Sequence, residues 1–212
     1  RLTKKAAAEQ LFVELAEVPH AVDGKHVILP LGFVAQLRLE ELSPFDPDAR
    51  LPPAGLLSFF ARQDIQEGQH GDLFRVASRV LFHETLDDIV PLSPPPHVPE
   101  RDRHVPVAIT ATRELALAPP QFVEGLVDDE GARYGELYDE VVTSSRFGLL
   151  GHARAAYFRG LPKKGESLLL QCQSGGGTSF EWGDVSSIFF LLANAALARR
   201  DFTKAVCVAD EL

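Results

Sequence analysis

Methionine is absent from the 212 residues, cysteine occurs only twice and tryptophan only once. The two cysteines, Cys172 and Cys207, are too few for a disulfide scaffold. Both lie in apolar runs, where a buried free thiol is ordinary, and a reducing cytoplasm is the expected location. No apolar run approaches the roughly 20 residues that a membrane-spanning helix needs. The longest, Ile188 to Ala198, is interrupted by Asn194. Near the start, Glu9, Glu14 and Glu17 stand among the apolar positions, unlike a secretory signal. Neither a membrane segment nor an export signal is expected. A chain that begins at Arg1 and has no methionine is also expected to be missing residues of its translation product.

Positive charge is scarce too: 21 Lys and Arg against 30 Asp and Glu give a net charge of −9. Only Lys4-Lys5, Lys163-Lys164 and Arg199-Arg200 approach a basic cluster, and they read as solvated surface pairs. Nucleic-acid backbones and anionic membranes attract clustered cations, so neither is an expected partner, whereas a basic protein is. With 45% hydrophobic and 24% charged residues the composition is that of an ordinary folded protein. A chain this long can bury roughly 70% of its extended surface. One compact domain over residues 1–212 is expected.

What the sequence does contain is a pattern that occurs twice. Phe33-Val34-Ala35-Gln36-Leu37-Arg38 leads to Ser58-Phe59-Phe60, and Leu168-Leu169-Leu170-Gln171-Cys172-Gln173 leads to Ile188-Phe189-Phe190. Each copy reads as an apolar strand with a glutamine at the same place, then a polar loop with glycine or proline, then a strand ending in Phe-Phe. The implied fold is α+β: a mostly antiparallel sheet, an internal pseudo-duplication of a strand-loop-strand unit, and two or three helices. The pseudo-repeat halves span about 27–90 and 105–212. Residues 91–99, with five prolines, read as the linker between them.

Along the chain, Ala7, Leu11, Phe12 and Leu15 fall at helical spacing, and predict a first helix over Thr3 to Ala16. Asp23-Gly24 is a turn before a short buried strand, Val27 to Leu29. In the next strand alternation puts Phe33, Ala35, Leu37 and Leu39 on one face and Val34, Gln36 and Arg38 on the other. Prolines at 44, 47, 52 and 53 exclude helix and central strand, so Ser43 to Gly55 is an ordered loop. Gln63 to Gly71 reads as a connection into strands within Leu73 to Phe82. Val105 to Thr112 has strand character, Gln121 to Leu126 begins a helix, and the acidic Asp128 to Glu140 is exposed. Strands over Leu168 to Gln173 and Val185 to Leu192 follow. Asn194 then caps a short turn of helix to Ala198, and a last strand covers Ala205 to Ala209.

The phrase Leu51-Pro52-Pro53-Ala54-Gly55-Leu56-Leu57-Ser58-Phe59-Phe60, with Ser167-Leu168-Leu169-Leu170-Gln171, Trp182-Gly183-Asp184, Phe189-Phe190 and Arg200-Asp201-Phe202, resembles the YwqG-like family of bacterial proteins. The resemblance runs from about Gly32 to the end. It implies a soluble α and β protein with a repeated β unit, and it assigns no biochemical activity. This chain departs from the family pattern in three places. Two residues after each glutamine, where the family commonly has aspartate, stand Arg38 and Gln173, neither of which can act as a carboxylate base or hard-cation ligand. The family's Trp-Pro segment has no counterpart between His20 and Leu31. Val185 stands where Gly55 stands in the first copy, so the two turns must differ.

Four residues are candidates for a ligand site: Gln36, Gln171, Trp182 and Asp184. A glutamine inside an apolar strand must find partners for its carboxamide. The bland explanation is that each braces the loop of its own unit. Trp182 with Asp184 can frame a pocket, or can be a packed aromatic beside a turn. Catalytic and metal motifs are not expected. His83-Glu84 lacks a second histidine four residues on, and the histidines at 20, 26, 70, 83, 97, 104 and 152 show no ligand spacing. Ser174-Gly175-Gly176-Gly177-Thr178 lacks the Gly-Lys-Ser/Thr of a phosphate loop, and Ser144-Ser145 has no base placed by sequence. No metal and no cofactor are expected. The favoured function is a non-enzymatic binding or interaction protein, in one version masking a basic partner such as a toxin. The alternative is a small-molecule binder or hydrolase with its site between the halves, lined by the four candidates.

Overall fold

The computed structural model describes residues 19–22, 25–28, 31–62, 74–87, 89–90, 104, 106–114, 116–141, 147–153, 162–175, 178–182 and 185–211. The helix expected over Thr3 to Ala16, the connection Gln63 to Gly71 and the proline run Pro91 to Pro99 lie outside the described residues.

Ten strands form three antiparallel groups among these residues. Strands β1 (Pro19–Val22) and β2 (Lys25–Ile28) pair with each other. A three-stranded sheet has the order β3 (Gly32–Arg38), β4 (Leu56–Ala61), β6 (Ser78–His83). A five-stranded sheet has the order β5 (Phe74–Val76), β10 (Val206–Glu211), β9 (Val185–Ala193), β8 (Glu166–Gln173), β7 (Phe147–Gly148). Helices α1 (Leu39–Leu42), α2 (Asp128–Val141) and α3 (Asn194–Ala198) complete an α+β fold.

The two larger sheets share one core. Leu57, Phe59 and Val80 of the smaller sheet and Leu169, Leu170, Cys172, Ile188, Phe190 and Cys207 of the larger one belong to a single buried cluster. Phe59 and Phe190, both fully buried, meet edge to face with ring centroids 5.1 Å apart. A single residue, Ala77, separates β5 from β6, so the chain leaves one sheet and enters the other without a loop. The Ala77 carbonyl accepts the Arg62 N–H at 2.8 Å, tying that corner to the end of β4. Corners of this kind join sheets that pack across each other. Phe202, also buried, closes one end against Phe82.

Both glutamine-bearing strands are bulged at the same place. In β3 the pairing skips Val34, and in β8 it skips Leu169, in each case two residues before the glutamine. A bulge adds one residue and so reverses the alternation beyond it. Val34 and Ala35 are both buried while Phe33 is 47% exposed, whereas strict alternation had placed Phe33 with Ala35. The partners shift as well. Ala35 faces Phe59, but Leu170 faces Phe190, so Phe59 holds the ladder position of Phe190 and not, as the sequence phasing implied, of Phe189.

Three local expectations fail for identifiable reasons. Residues 106–112 enter no ladder, since Pro106 lacks a donor and Val107 and Ile109 remain 51% and 62% exposed, without the burial that stabilises a strand. Around Gln121 only a single 3₁₀ turn forms, Pro120–Phe122; the long helix is α2, in the segment read as merely acidic. Its first turn carries Asp128, Asp129 and Glu130, which favour the positive end of the helix dipole. Gly131, Tyr134, Gly135 and Tyr138 form its less exposed row, and Tyr134 Oη donates to the Ala118 carbonyl at 2.8 Å. Finally, Asn194 is the first residue inside α3, not its cap. Its N–H donates to the Gly165 carbonyl at 2.8 Å and its side chain accepts from Ser167 Oγ.

Because Phe59 and Phe190 close the core on each other, replacing either by alanine is expected to cost about 3–5 kcal/mol in urea unfolding. The double variant should lose less than the sum by about 0.5–1.5 kcal/mol. Additive losses would show that the two rings do not support each other.

Candidate functional site

The bulges decide where the candidate glutamines go. After Ala35 the alternation sends Gln36 outward, and after Leu170 it sends Gln171 outward, away from the shared core. Gln36 lies on the outer face of the three-stranded sheet, exposed, and donates from Nε2 to Ser58 Oγ at 3.1 Å. Gln171 pairs across the ladder with Phe189 on the outer face of the five-stranded sheet, where Leu168, Phe189, Leu191 and Ala153 form a second apolar cluster. It is only 1% exposed. Trp182, in contrast, belongs to the inner cluster. A cleft lined jointly by Gln36, Gln171 and Trp182 is therefore not what the described residues form: two apolar inner faces pack together and expel both carboxamides to opposite sides. Asp184 lies outside the described residues.

The proline-rich arch between β3 and β4 is also held differently from the bracing expected of Gln36. Asp46 Oδ2 accepts the Leu51 N–H at 2.8 Å, and Leu51 and Pro52 are buried beneath the arch. Arg50 donates to Ser167 Oγ, which donates in turn to Asn194 Oδ1, so the arch is tied to β8 and α3 across 117 residues of sequence. At the foot of the arch Gly55 has φ +110, and a Cβ there would stand 2.5 Å from the His83 carbonyl. Only glycine suits that position. Its carbonyl accepts the Leu39 N–H at 2.9 Å.

Trp182 sits on the return from the glycine-rich turn after β8. Its backbone N–H donates to Ser174 Oγ at 3.2 Å, and the Phe180 carbonyl accepts the Gly175 N–H at 2.9 Å. Phe180 stacks on the indole at 4.8 Å and 22°. His104 meets both rings edge-on, 4.7 Å from Phe180 and 6.4 Å from Trp182, and its Nδ1 lies 3.1 Å from Ser179 Oγ. Sequence reasoning found Trp182 but not His104, because 75 residues separate His104 from Ser179 and no local pattern joins them. The indole Nε1 is buried without a hydrogen-bond partner among the described residues.

Chemically reactive side chains are few here. His83 and Glu84 are exposed at the end of β6. Among the described residues no three His, Cys, Asp or Glu side chains are grouped to hold a metal ion, and no helix is long and apolar enough to cross a membrane. Cys172 and Cys207 face the inner core from strands on either side of β9, opposite Ile188 and Phe190. Burial pushes the Cys172 thiol up to about 12, and burial followed by the proximity of Cys172 pushes Cys207 well above its ordinary value. Thiols so protonated are poor nucleophiles.

Three outcomes are expected. Gln171→Leu strands the partners of a buried carboxamide and should cost about 1–3 kcal/mol, while Gln36→Leu, at an exposed position, should cost about 1 kcal/mol or less. Equal losses in denaturant titrations would contradict the placement of the two residues. The cysteines should resist a disulfide reagent at pH 8 in the native state and react fully in denaturant. The folded chain keeps protons that an unfolded thiol releases near 9.0. Stability should thus be complete below that pH and fall above it, toward pH 12, by about 1.4 kcal/mol per pH unit for each thiol.

No curated protein matches the sequence significantly. A family model does match, over residues 10–210, nearly the whole chain, and its description is a domain of unknown function, DUF1963. By that match, which spans well over half of its length, this chain belongs to the DUF1963 family.

Proposed function

We propose that this protein is a non-enzymatic binding protein of the bacterial cytoplasm, of the YwqG-like type, whose partner is a basic protein. The observation that carries the proposal is α2. This helix stands on the outside of the molecule and holds six acidic side chains against one basic residue, Arg133. Asp128, Asp129, Glu130, Glu136, Asp139 and Glu140 are all exposed. Among them Leu137 is 46% exposed, and Val127, just before the helix, is 65% exposed. Exposed apolar side chains framed by one sign of charge are what a complementary surface uses, with the charge steering the encounter and the apolar groups supplying burial. Masking a toxin is one form such binding would take.

An internal duplication belongs to the same proposal. It is supported by the bulge two residues before each glutamine and by the edge-to-face meeting of Phe59 with Phe190, which hold corresponding ladder positions.

The test is capture by the tagged protein from a lysate of its source organism at about 50 mM and about 500 mM salt, where screening differs severalfold. A stoichiometric partner with a basic sequence is expected at low salt only. A triple variant, Glu136→Lys, Leu137→Glu and Glu140→Lys, should melt normally and lose that partner. A low-salt capture that yields no basic partner, or one that the triple variant retains, refutes the proposal.

A further inference from the structure

Trp182 is the chain's only tryptophan and is fully buried, yet its indole N–H meets no acceptor among the described residues. Buried donors are nearly always paired, so an unpaired one asks what completes it. Two walls beside it are firmly built. Phe180 and Trp182 stack on each other and are fastened to the end of β8 through Ser174 Oγ and Gly175 N–H. Thr178 Oγ1, which donates to the Gly175 carbonyl at 2.7 Å, stiffens the same turn. The third ring has a different footing. His104 comes from a stretch whose described residues, 106–114, enter no ladder, and it joins the walls by its edge contacts and by Nδ1 at Ser179. A fixed aromatic pair, a buried donor and a covering ring from an irregular segment are the parts of an apolar site with one polar anchor.

We propose that Trp182 Nε1–H is the anchor of a small-molecule site whose ligand is a planar, apolar compound carrying a neutral carbonyl oxygen, since a buried carboxylate would need more than one donor. The oxygen accepts the indole hydrogen bond, and the ring of the ligand takes the edge-on place that His104 holds against Phe180 and Trp182. A water molecule would be a poorer occupant, since it needs two to four polar partners, whereas the stacked faces here are ring carbon. An oxygen on an apolar body needs one donor and apolar walls. The site is separate from the acidic helix and stands whether or not a basic partner exists.

Because the chain has one indole, a single ¹H–¹⁵N indole resonance and all tryptophan fluorescence report on this position alone. The full chain is titrated with acetophenone, phenylacetamide and, as a ring without an acceptor oxygen, benzylamine. A saturable downfield shift of the indole proton is expected with acetophenone or phenylacetamide and not with benzylamine. His104→Ala, which removes the covering ring, should tighten binding of the active probe several-fold. An indole proton unmoved by about 10 mM of both oxygen-bearing probes, a range that reaches millimolar fragment affinities, overturns the proposal. So does a response to benzylamine equal to that of the other two, or binding that His104→Ala weakens.

Discussion

The contact of Phe59 with Phe190 is the point on which the architecture turns. Each ring lies at the centre of an apolar sheet face, each is fully buried, and each has the other as its neighbour across the interface. A sheet with one apolar face has no stable existence in water until that face is covered. Here the three-stranded and five-stranded sheets cover each other, and the one-residue passage at Ala77 fixes how they meet at one corner. Once the inner faces are committed, the direction of every other side chain on β3, β4, β8 and β9 follows from the pleat and from the two bulges.

That commitment sorts the polar groups. Gln36 and Gln171 occupy corresponding places in their ladders and both point outward, yet one is exposed and the other is buried on the face that carries Leu168, Phe189 and Leu191. The larger sheet is thus covered on its outer face as well. The cysteines went inward by the same pleat and lost their acidity to burial. The unpaired indole N–H of Trp182, at the glycine turn, and the exposed acidic side chains of α2 are therefore found where the packing ends.

Legibility in the sequence follows the same division. Strands β4, β8, β9 and β10 were readable because apolar runs of this length, bounded by turn residues, have few other uses. The ordered arch was readable because proline excludes the alternatives. The bulges were not, since Val34 and Leu169 look like their neighbours and the extra residue shows only in the pairing. The expected correspondence of Phe59 with Phe189 was consequently off by one, and among the described residues Gln36 and Gln171 are not brought together. Helix α2 was hidden by its two glycines and its lack of an apolar stripe. It persists with a half-exposed row of glycine and tyrosine where a core helix would have leucine. The partnership of His104 with Trp182 is tertiary, and no spacing rule reaches across it.

A fold of this construction constrains how binding can be added to it. The inner faces are packed rings and branched chains, so a change there costs several kcal/mol and leaves little latitude for recognition. Exposed residues outside the buried cluster carry no such penalty. The exposed side chains of helix α2 and of residues 106–114 can change without disturbing Phe59 or Phe190. The acid excess of the chain is concentrated on α2 and its single indole lies beside His104. A variant that alters exposed residues of α2 should therefore leave the packing of Phe59 against Phe190 nearly unchanged, as expected for positions that share no contacts.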